Sequence, residues 1–319
     1  MLRAIAYAAA TALLLASSAA HAAWPERAVT VVTPYAAGGI ADVVARLTAE
    51  RLQSGLKNPF VVENQPGASG IAAPERVSKA TPDGYTLIST PIFQLTTAKF
   101  GHTVSFDGLR DFTPIAAVAS APFVITVGES FPGNTLADFI AYVKANQGKL
   151  TFGSAGVGST THAAAAMVLK AAGLDMVHVP YRGVAPAFTD LLGGQIVMLA
   201  ASPVELRPYL ESKKVKPLAV VDNKPSRFLP GVPSVNETLK DCPPAVTYNG
   251  LLGPANLPKD VVETLSRELL AAAKSPEFVQ RVTNVGLEPL QTTPAEFAKL
   301  IAADSALWTP IMPTLITKQ

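Results

Sequence analysis

The sequence predicts an α/β protein folded as two lobes. Strands alternate with helices over most of the 319 residues. An apolar strand, a Gly-rich turn and an apolar-faced helix follow one another twice, about 120 residues apart. Two further stretches, Pro122–Val127 and Thr247–Gly253, are extended, apolar and flanked by Pro or Gly, as paired crossings between lobes would be. The length exceeds that of a typical single domain, and the apolar fraction of 49% is enough for a sizeable core.

The first element is a leader. Arg3 precedes an apolar run from Ala4 to Ala20, and Ala20-His21-Ala22 fits a small-x-small cleavage rule. Residues 1–22 therefore read as a secretory signal peptide, cleaved after Ala22 to leave Ala23–Gln319. No Cys follows the run to carry a lipid, and no later segment has transmembrane length. Cys242 is the only cysteine, so no intramolecular disulfide forms. An exported chain of this kind suits a bacterial periplasm.

Nine strands are expected next: Ala28–Thr33, Phe60–Glu63, Tyr85–Ser89, Phe123–Val127, Leu150–Gly153, Met176–Pro180, Ile196–Ala200, Pro217–Val221 and Tyr248–Leu252. Helical patterns separate them at 41–54, 70–80, 135–146, 160–173, 184–192 and 203–212. The alternation reads as mostly parallel sheet. After Pro258 the pattern changes to three helices. Pro258 opens the first, which carries Val261, Leu265 and Leu269 on one face. Ser275-Pro276 opens the second and Gly286 ends it; Thr293-Pro294-Ala295-Glu296 is a capping box opening the third. The crossings divide the chain into lobe one, 23–122 plus 247–319, and lobe two, 123–246.

The two cradles read VVTPYAAGG (31–39) and LTFGSAGVGSTTH (150–162). A helix start leaves its first N–H groups unpaired and carries partial positive charge, so it attracts an anion. Glycines let the backbone approach a ligand closely. Two such cradles suggest two lobes closing on one small anion.

Seven blocks now carry a resemblance: WPERAVTVVTPYAAGG (24–39), VVENQPGASG (61–70), TPDGYTL (81–87), LRDFTPIA (109–116), FGSAGVGSTTH (152–162), VHVPYRGVAPAFTDLLGGQ (177–195) and NGLLGPANLP (249–258). In this order and spacing the chain resembles the substrate-binding receptors of tripartite tricarboxylate transporters, the Bug family of periplasmic proteins. The resemblance implies a two-lobed, type II flytrap fold that closes on a carboxylate. It also implies delivery of that ligand to membrane permease subunits. Three positions depart from the family pattern towards apolar character: Ile40 after the Gly pair, Ala201 where Asp is common, and Ile71 where Asn is common.

The expected site follows. Backbone N–H groups of Ala36, Ala37, Gly38 and Gly39 form the first cradle, with the Tyr35 ring as a wall and Asp42 either capping the helix or touching ligand. Ser154, Gly156, Gly158, Ser159 and Thr160 form the second; the hydroxyls of Ser159 and Thr160 either bond a ligand or cap the helix. Thr90 either adds an edge or closes a turn. His162, near a helix start, is expected neutral, and either donates to a carboxylate or satisfies the backbone. Ile40, Ala201 and Phe93 make the far wall apolar, which favours an aromatic or aliphatic monocarboxylate over citrate. A micromolar complex needs about 8 kcal/mol, and four or five donors at roughly 1.5–3 kcal/mol each reach that after the cost of immobilising the ligand.

Other classes find less support. Lys and Arg are scattered, and without Arg3 the 25 basic and 24 acidic residues leave a charge of +1, so nucleic acid is not expected. No zinc-protease, nucleotide-loop or nucleophile-elbow motif occurs, and neither metal nor cofactor is implied. A Ser154–His162 pair leaves a hydrolase as one alternative. A ligand-binding partner of a membrane sensor, without transport, is the other. A monomer is expected.

Overall fold

The computed structural model describes residues 24–316, so the expected signal peptide and its cleavage point lie outside the described residues. The chain opens with β1 (Val29–Thr33), α1 (Ile40–Leu56), β2 (Phe60–Asn64), α2 (Ala72–Ser78), β3 (Thr86–Pro91) and α3 (Ile92–Thr97). β4 (Phe112–Pro122), β5 (Val124–Gly128), α4 (Leu136–Ala145), β6 (Thr151–Ser154), α5 (Thr160–Ala171), β7 (Val177–Pro180) and α6 (Val184–Leu192) follow. Next come β8 (Met198–Ala201), α7 (Pro203–Glu211), β9 (Val215–Val220) and β10 (Val246–Pro254). The chain ends in α8 (Lys259–Lys274), α9 (Pro276–Asn284), β11 (Glu288–Pro289), α10 (Pro294–Trp308) and α11 (Met312–Ile316).

Local chemistry accounts for most of these. β1 is VTVVT, β-branched throughout and buried on both faces, as a central parallel strand requires. α1 buries Val44, Leu47, Thr48 and Leu52 at helical spacing, and its chain reverses at Lys57 with φ 57°. Capping boxes start α4 at Thr135–Asp138 and α10 at Thr293–Glu296. Gly286, at φ 87°, ends α9 as expected.

Two sheets result, ordered β2-β1-β3-β10-β4-β11 and β7-β6-β8-β5-β9. They are mixed, which corrects the expectation of mostly parallel pairing. β10 runs antiparallel to β3 and β4, and β5 antiparallel to β8 and β9. The reason is topological for β10 and β5, which each enter their sheet from the other one; β11, reversed on β4, follows α9 instead. β4 runs through Phe123 directly into β5, and β10 follows Ala245 out of the second sheet. At this double crossing Phe123 donates to Ala245 O at 2.9 Å, and Val221 N–H donates to Phe123 O at 2.7 Å.

Sequence reading missed β4. Its FTPIAAVASAP run is rich in Ala and holds two prolines, so propensity argues against a strand. Pairing with β10 on one side overrides propensity. Gly250 marks how tight that pairing is. A Cβ there would press into the Phe297 ring and come within 2.7 Å of Ala116 O. Gly250→Ala is expected to cost about 3 kcal/mol, read as a fall of about 6 °C in melting temperature; an unchanged melting temperature would contradict the packing.

The chain's end ties the two halves together. Trp308, Met312 and Leu315 join the core around β5, β6 and α5 rather than the first sheet's core. Trp308 meets Phe93 edge to face at 5.0 Å, and Lys170 Nζ donates to Thr314 Oγ1 at 2.7 Å.

Candidate ligand-binding crevice

In open α/β sheets ligands sit beyond the carboxyl ends of the strands. Here the loops leaving β1 and β6, one from each sheet, line one shared cavity. Tyr35, Ala36, Ala37, Gly39 and Ile40 contribute from the first loop; Ala155, Ser159, Thr160 and Thr161 contribute from the second. Phe123 and Thr247, at the double crossing, form the back. About 50 Å³ is open to the centre of a water molecule, room for a few waters. The loops touch around it. His102 Nε2 lies 3.0 Å from Val157 O, and Gly156 packs on Ser69 so closely that a Cβ would come within 2.6 Å of Ser69 Oγ. With φ at 127° as well, position 156 requires glycine.

Asp42 shapes the first loop. Its carboxylate accepts from Gly38 N–H at 3.0 Å, from Arg46 Nε at 3.0 Å and from Asn64 Nδ2 at 2.9 Å. Burial pushes its pKa up, but the bonds from Arg46, Asn64 and Gly38 outweigh burial and hold it below the usual range. Asp42 is therefore a loop brace, and the Gly38 N–H is already engaged. Tyr35 is held by its hydroxyl, which donates to Gln94 Oε1 at 2.7 Å. Burial and then the Glu205 charge push that phenol well above its ordinary pKa.

The second loop is braced from within. Ser159 caps α5, its Oγ accepting from His162 N–H at 3.3 Å. Thr161 Oγ1 accepts from Ala155 N–H at 2.8 Å. Gly158 N–H donates to His162 Nδ1 at 3.1 Å, which fixes a neutral imidazole with its proton on Nε2. Burial pushes the His162 pKa down to about 4, as that bond requires. The first amides of α5 have no intrahelical acceptor, and Thr160 and Thr161 both face the cavity.

Of the expected residues, Tyr35, Ala36, Ala37, Gly39, Ile40, Ser159 and Thr160 come together here. Gly38, Thr90, Ser154, Gly156, Gly158, His162 and Ala201 do not line the cavity. Thr90 is fully buried, with its hydroxyl turned to Pro91 O. Ala201 is buried within β8, and Phe93 packs on Trp308, so neither forms the wall. His162 faces the opposite side of the β6–α5 loop, stacked on His178 at 3.9 Å. Ser154 Oγ pairs with His178 Nε2 at 2.6 Å, not with His162, and also bonds Gly156. Ser154 is thus engaged by His178, a half-buried ring on the far side of the loop, and makes no bond to His162, which leaves the Ser154–His162 pair without a geometric basis.

Sequence reading missed Phe123, Ala155, Thr161 and Thr247 in the lining, and two further segments. Gly183, Val184, Ala185 and Pro186 open α6 beside the other two helix starts. The same strand, glycine, helix order stands in VPYRGVAP and was a readable signal. Glu205 of α7 lines the cavity as well. It belongs to a capping box with Ser202, accepting from Ser202 N and Oγ at 2.8 Å each. It also accepts from Ile40 N–H across the crevice. Among the described residues no group of three or more potential metal ligands occurs, and no helix is long and apolar enough to cross a membrane.

Comparison with known proteins agrees with this architecture. The sequence model of the tripartite tricarboxylate transporter family receptor, TctC, matches residues 44–316. A UPF0065 protein from the tcbD-tcbE intergenic region of Pseudomonas sp. strain P51 is 30% identical over 288 residues, 90% of this chain and 85% of that one. Among solved structures, R. palustris Rpa4515 with adipate is 30% identical and superposes with a TM-score of 0.88, covering 92% of this chain and 98% of the other. The periplasmic binding protein BugD is 31% identical, with a TM-score of 0.86 over 92% and 98% of the two chains. The chain belongs to the tripartite tricarboxylate transporter receptor family, with the two-lobed fold of its periplasmic solute-binding proteins.

Proposed function

We propose that this chain is an exported, monomeric receptor that captures a small carboxylate between two lobes and hands it to the permease of a tripartite carrier. One observation carries the reading: helix starts from two different sheets face one cavity. Anions favour helix starts, and closure brings both sets of amides to one ligand. The relative solved with adipate supports a carboxylate. The lobes meet at the double crossing, with 23–122 plus 247–319 on one side and 123–246 on the other, except that the end from Trp308 to Leu315 crosses over to pack on the second lobe. The cavity holds only a few waters, so ligand enters when the lobes part about that hinge. The walls are Ala36, Ala37, Ile40, Phe123 and Val184, which suits an aromatic or aliphatic body better than citrate. No catalytic step is assigned, and the bracing of Ser154 and His162 is structural. Export with cleavage after Ala22 places the receptor in the periplasm.

Calorimetry against a panel of aliphatic, aromatic and tricarboxylic acids tests the reading. A monocarboxylate is expected to bind at micromolar or better affinity, with a smaller radius of gyration on saturation. Tight citrate binding with no response to aromatic or aliphatic acids contradicts it. Ala37→Trp, at the exposed rim, is expected to raise Kd at least tenfold with the melting temperature unchanged. Equal affinity in that variant places the ligand elsewhere.

A further inference from the structure

The two helix starts that face the cavity are electrostatically unequal. At α1, two protein carboxylates already serve the amides. Asp42, buried in the first turn, takes Gly38 N–H, and Glu205 reaches over from α7 to take Ile40 N–H. Amides at this helix start are thus already occupied; Asp42 is itself paired with Arg46, and burial pushes the Glu205 pKa up while its Ser202 and Ile40 donors oppose that. At α5 the first turn holds no acidic residue, and α6 likewise has none. No Lys, Arg, His or Asp lines the cavity, so Glu205 is its one carboxyl group. That carboxylate is fixed in place by three donors: Ser202 N, Ser202 Oγ and Ile40 N.

We propose that Glu205 is a specificity-determining residue: the ligand carboxylate sits at the starts of α5 and α6, and Glu205 requires a hydrogen-bond donor at the ligand's other end. This rests on the carboxylate-receptor reading above and narrows its substrate class. The class is a monocarboxylate tipped with a hydroxyl, amide or ammonium group. Two physical terms set the preference. A second ligand carboxylate would meet Glu205 in a site with little water to screen the pair, and like charges there repel strongly. A plain methyl end would leave the remaining acceptor capacity of Glu205 buried without a partner, which also costs binding. A donor end removes both penalties. The same logic lets a site built to bond a polar group reject the analogue that lacks it.

The test is a matched series at pH 8.5, in four- and six-carbon lengths, in which only the far end changes. The six-carbon set is 6-aminohexanoate, 6-hydroxyhexanoate, hexanoate and adipate. In the four-carbon set the ends are the same. Calorimetry on the wild-type chain is expected to rank a donor-tipped acid first in at least one length and the dicarboxylate at least tenfold weaker. Glu205→Gln keeps the capping box, since Gln also closes it, and is expected to bring the dicarboxylate to within threefold of the donor-tipped acid. Glu205→Asp keeps the charge and is expected to keep the wild-type order. A wild-type dicarboxylate affinity equal to that of the donor-tipped acids overturns the proposal even if Glu205→Gln does not fold. So does an order unchanged by Glu205→Gln. If monocarboxylates bind and only the ranking fails, the receptor reading survives; if no acid in the series or the wider panel binds, both fall.

Discussion

Asp304→Asn is expected to raise the melting temperature at pH 8 and to leave it close to the wild-type value at pH 5. Asp304 is buried on α10, and its Oδ2 has no hydrogen-bond partner. Burial pushes its pKa up to about 7, with the Trp308 side chain offsetting part of the effect. The folded chain thus keeps this proton up to about pH 7, whereas an unfolded chain releases it near pH 4. Between those values the folded state binds more protons, so stability falls as pH rises. Three pH units at 1.36 kcal/mol each make the ionised form cost on the order of 4 kcal/mol. Asn removes that charge but places an unpartnered N–H where Oδ2 lay, a cost of about 1–3 kcal/mol at every pH. About 1.6 kcal/mol of the wild-type cost is already present at pH 5, where the unfolded carboxyl is ionised and the folded one is not. The variant therefore gains roughly 1–3 kcal/mol at pH 8, about 2–6 °C, and lies within about 1 kcal/mol of the wild type at pH 5. Parallel melting curves across pH 5–8 would falsify the assignment. The location matters to function, because α10 ends in Trp308, which carries the chain onto the second sheet's core.

The strand–glycine–helix units were legible because each is encoded locally. TPYAAGG and GSAGVGST place small residues where φ and space demand them, and the helix patterns beyond them hold to within a few residues. The capping boxes and Pro starts of the last helices were equally plain. β4 was not legible, since its Ala- and Pro-containing run becomes a strand only through β10, more than a hundred residues later. The same limit governed the site. Which loops meet depends on the double crossing: the strand, glycine, helix order of VPYRGVAP is a readable unit, but only the topology brings it to the site. Glu205 caps its own helix, and that it also reaches Ile40 is a fact of closure. His162 was misplaced for a related reason. Proximity to a helix start suggested a ligand donor, but Nδ1 is the acceptor that fixes Gly158.

His178→Phe is expected to flatten the acid limb of the stability curve. His178 stacks on His162, at 3.9 Å, and on Phe152, at 4.9 Å. Burial, and then the neighbouring His162, push its pKa down to about 3; burial pushes His162 down to about 4. An unfolded histidine titrates near 6.5. From pH 6.5 downwards the unfolded chain gains protons that the folded chain refuses, so each ring's contribution is complete above 6.5 and is lost as pH falls towards 4. At pH 5 the loss is about 2 kcal/mol per histidine. Phe keeps the stack without the titration, and Ser154 Oγ keeps its bonds to Gly156. Any constant cost of the substitution appears at neutral pH. The difference between variant and wild type is then expected to move by about 2 kcal/mol, near 4 °C, in the variant's favour between pH 7 and pH 5. Asp304 opposes the wild-type trend over the same range, so only this difference isolates the histidine. Curves that stay parallel refute the coupling. The loss also bears on the ligand, because a protonated His162 cannot accept from Gly158. Acid therefore unbuilds the loop before α5, and the carboxylate cradle goes with it.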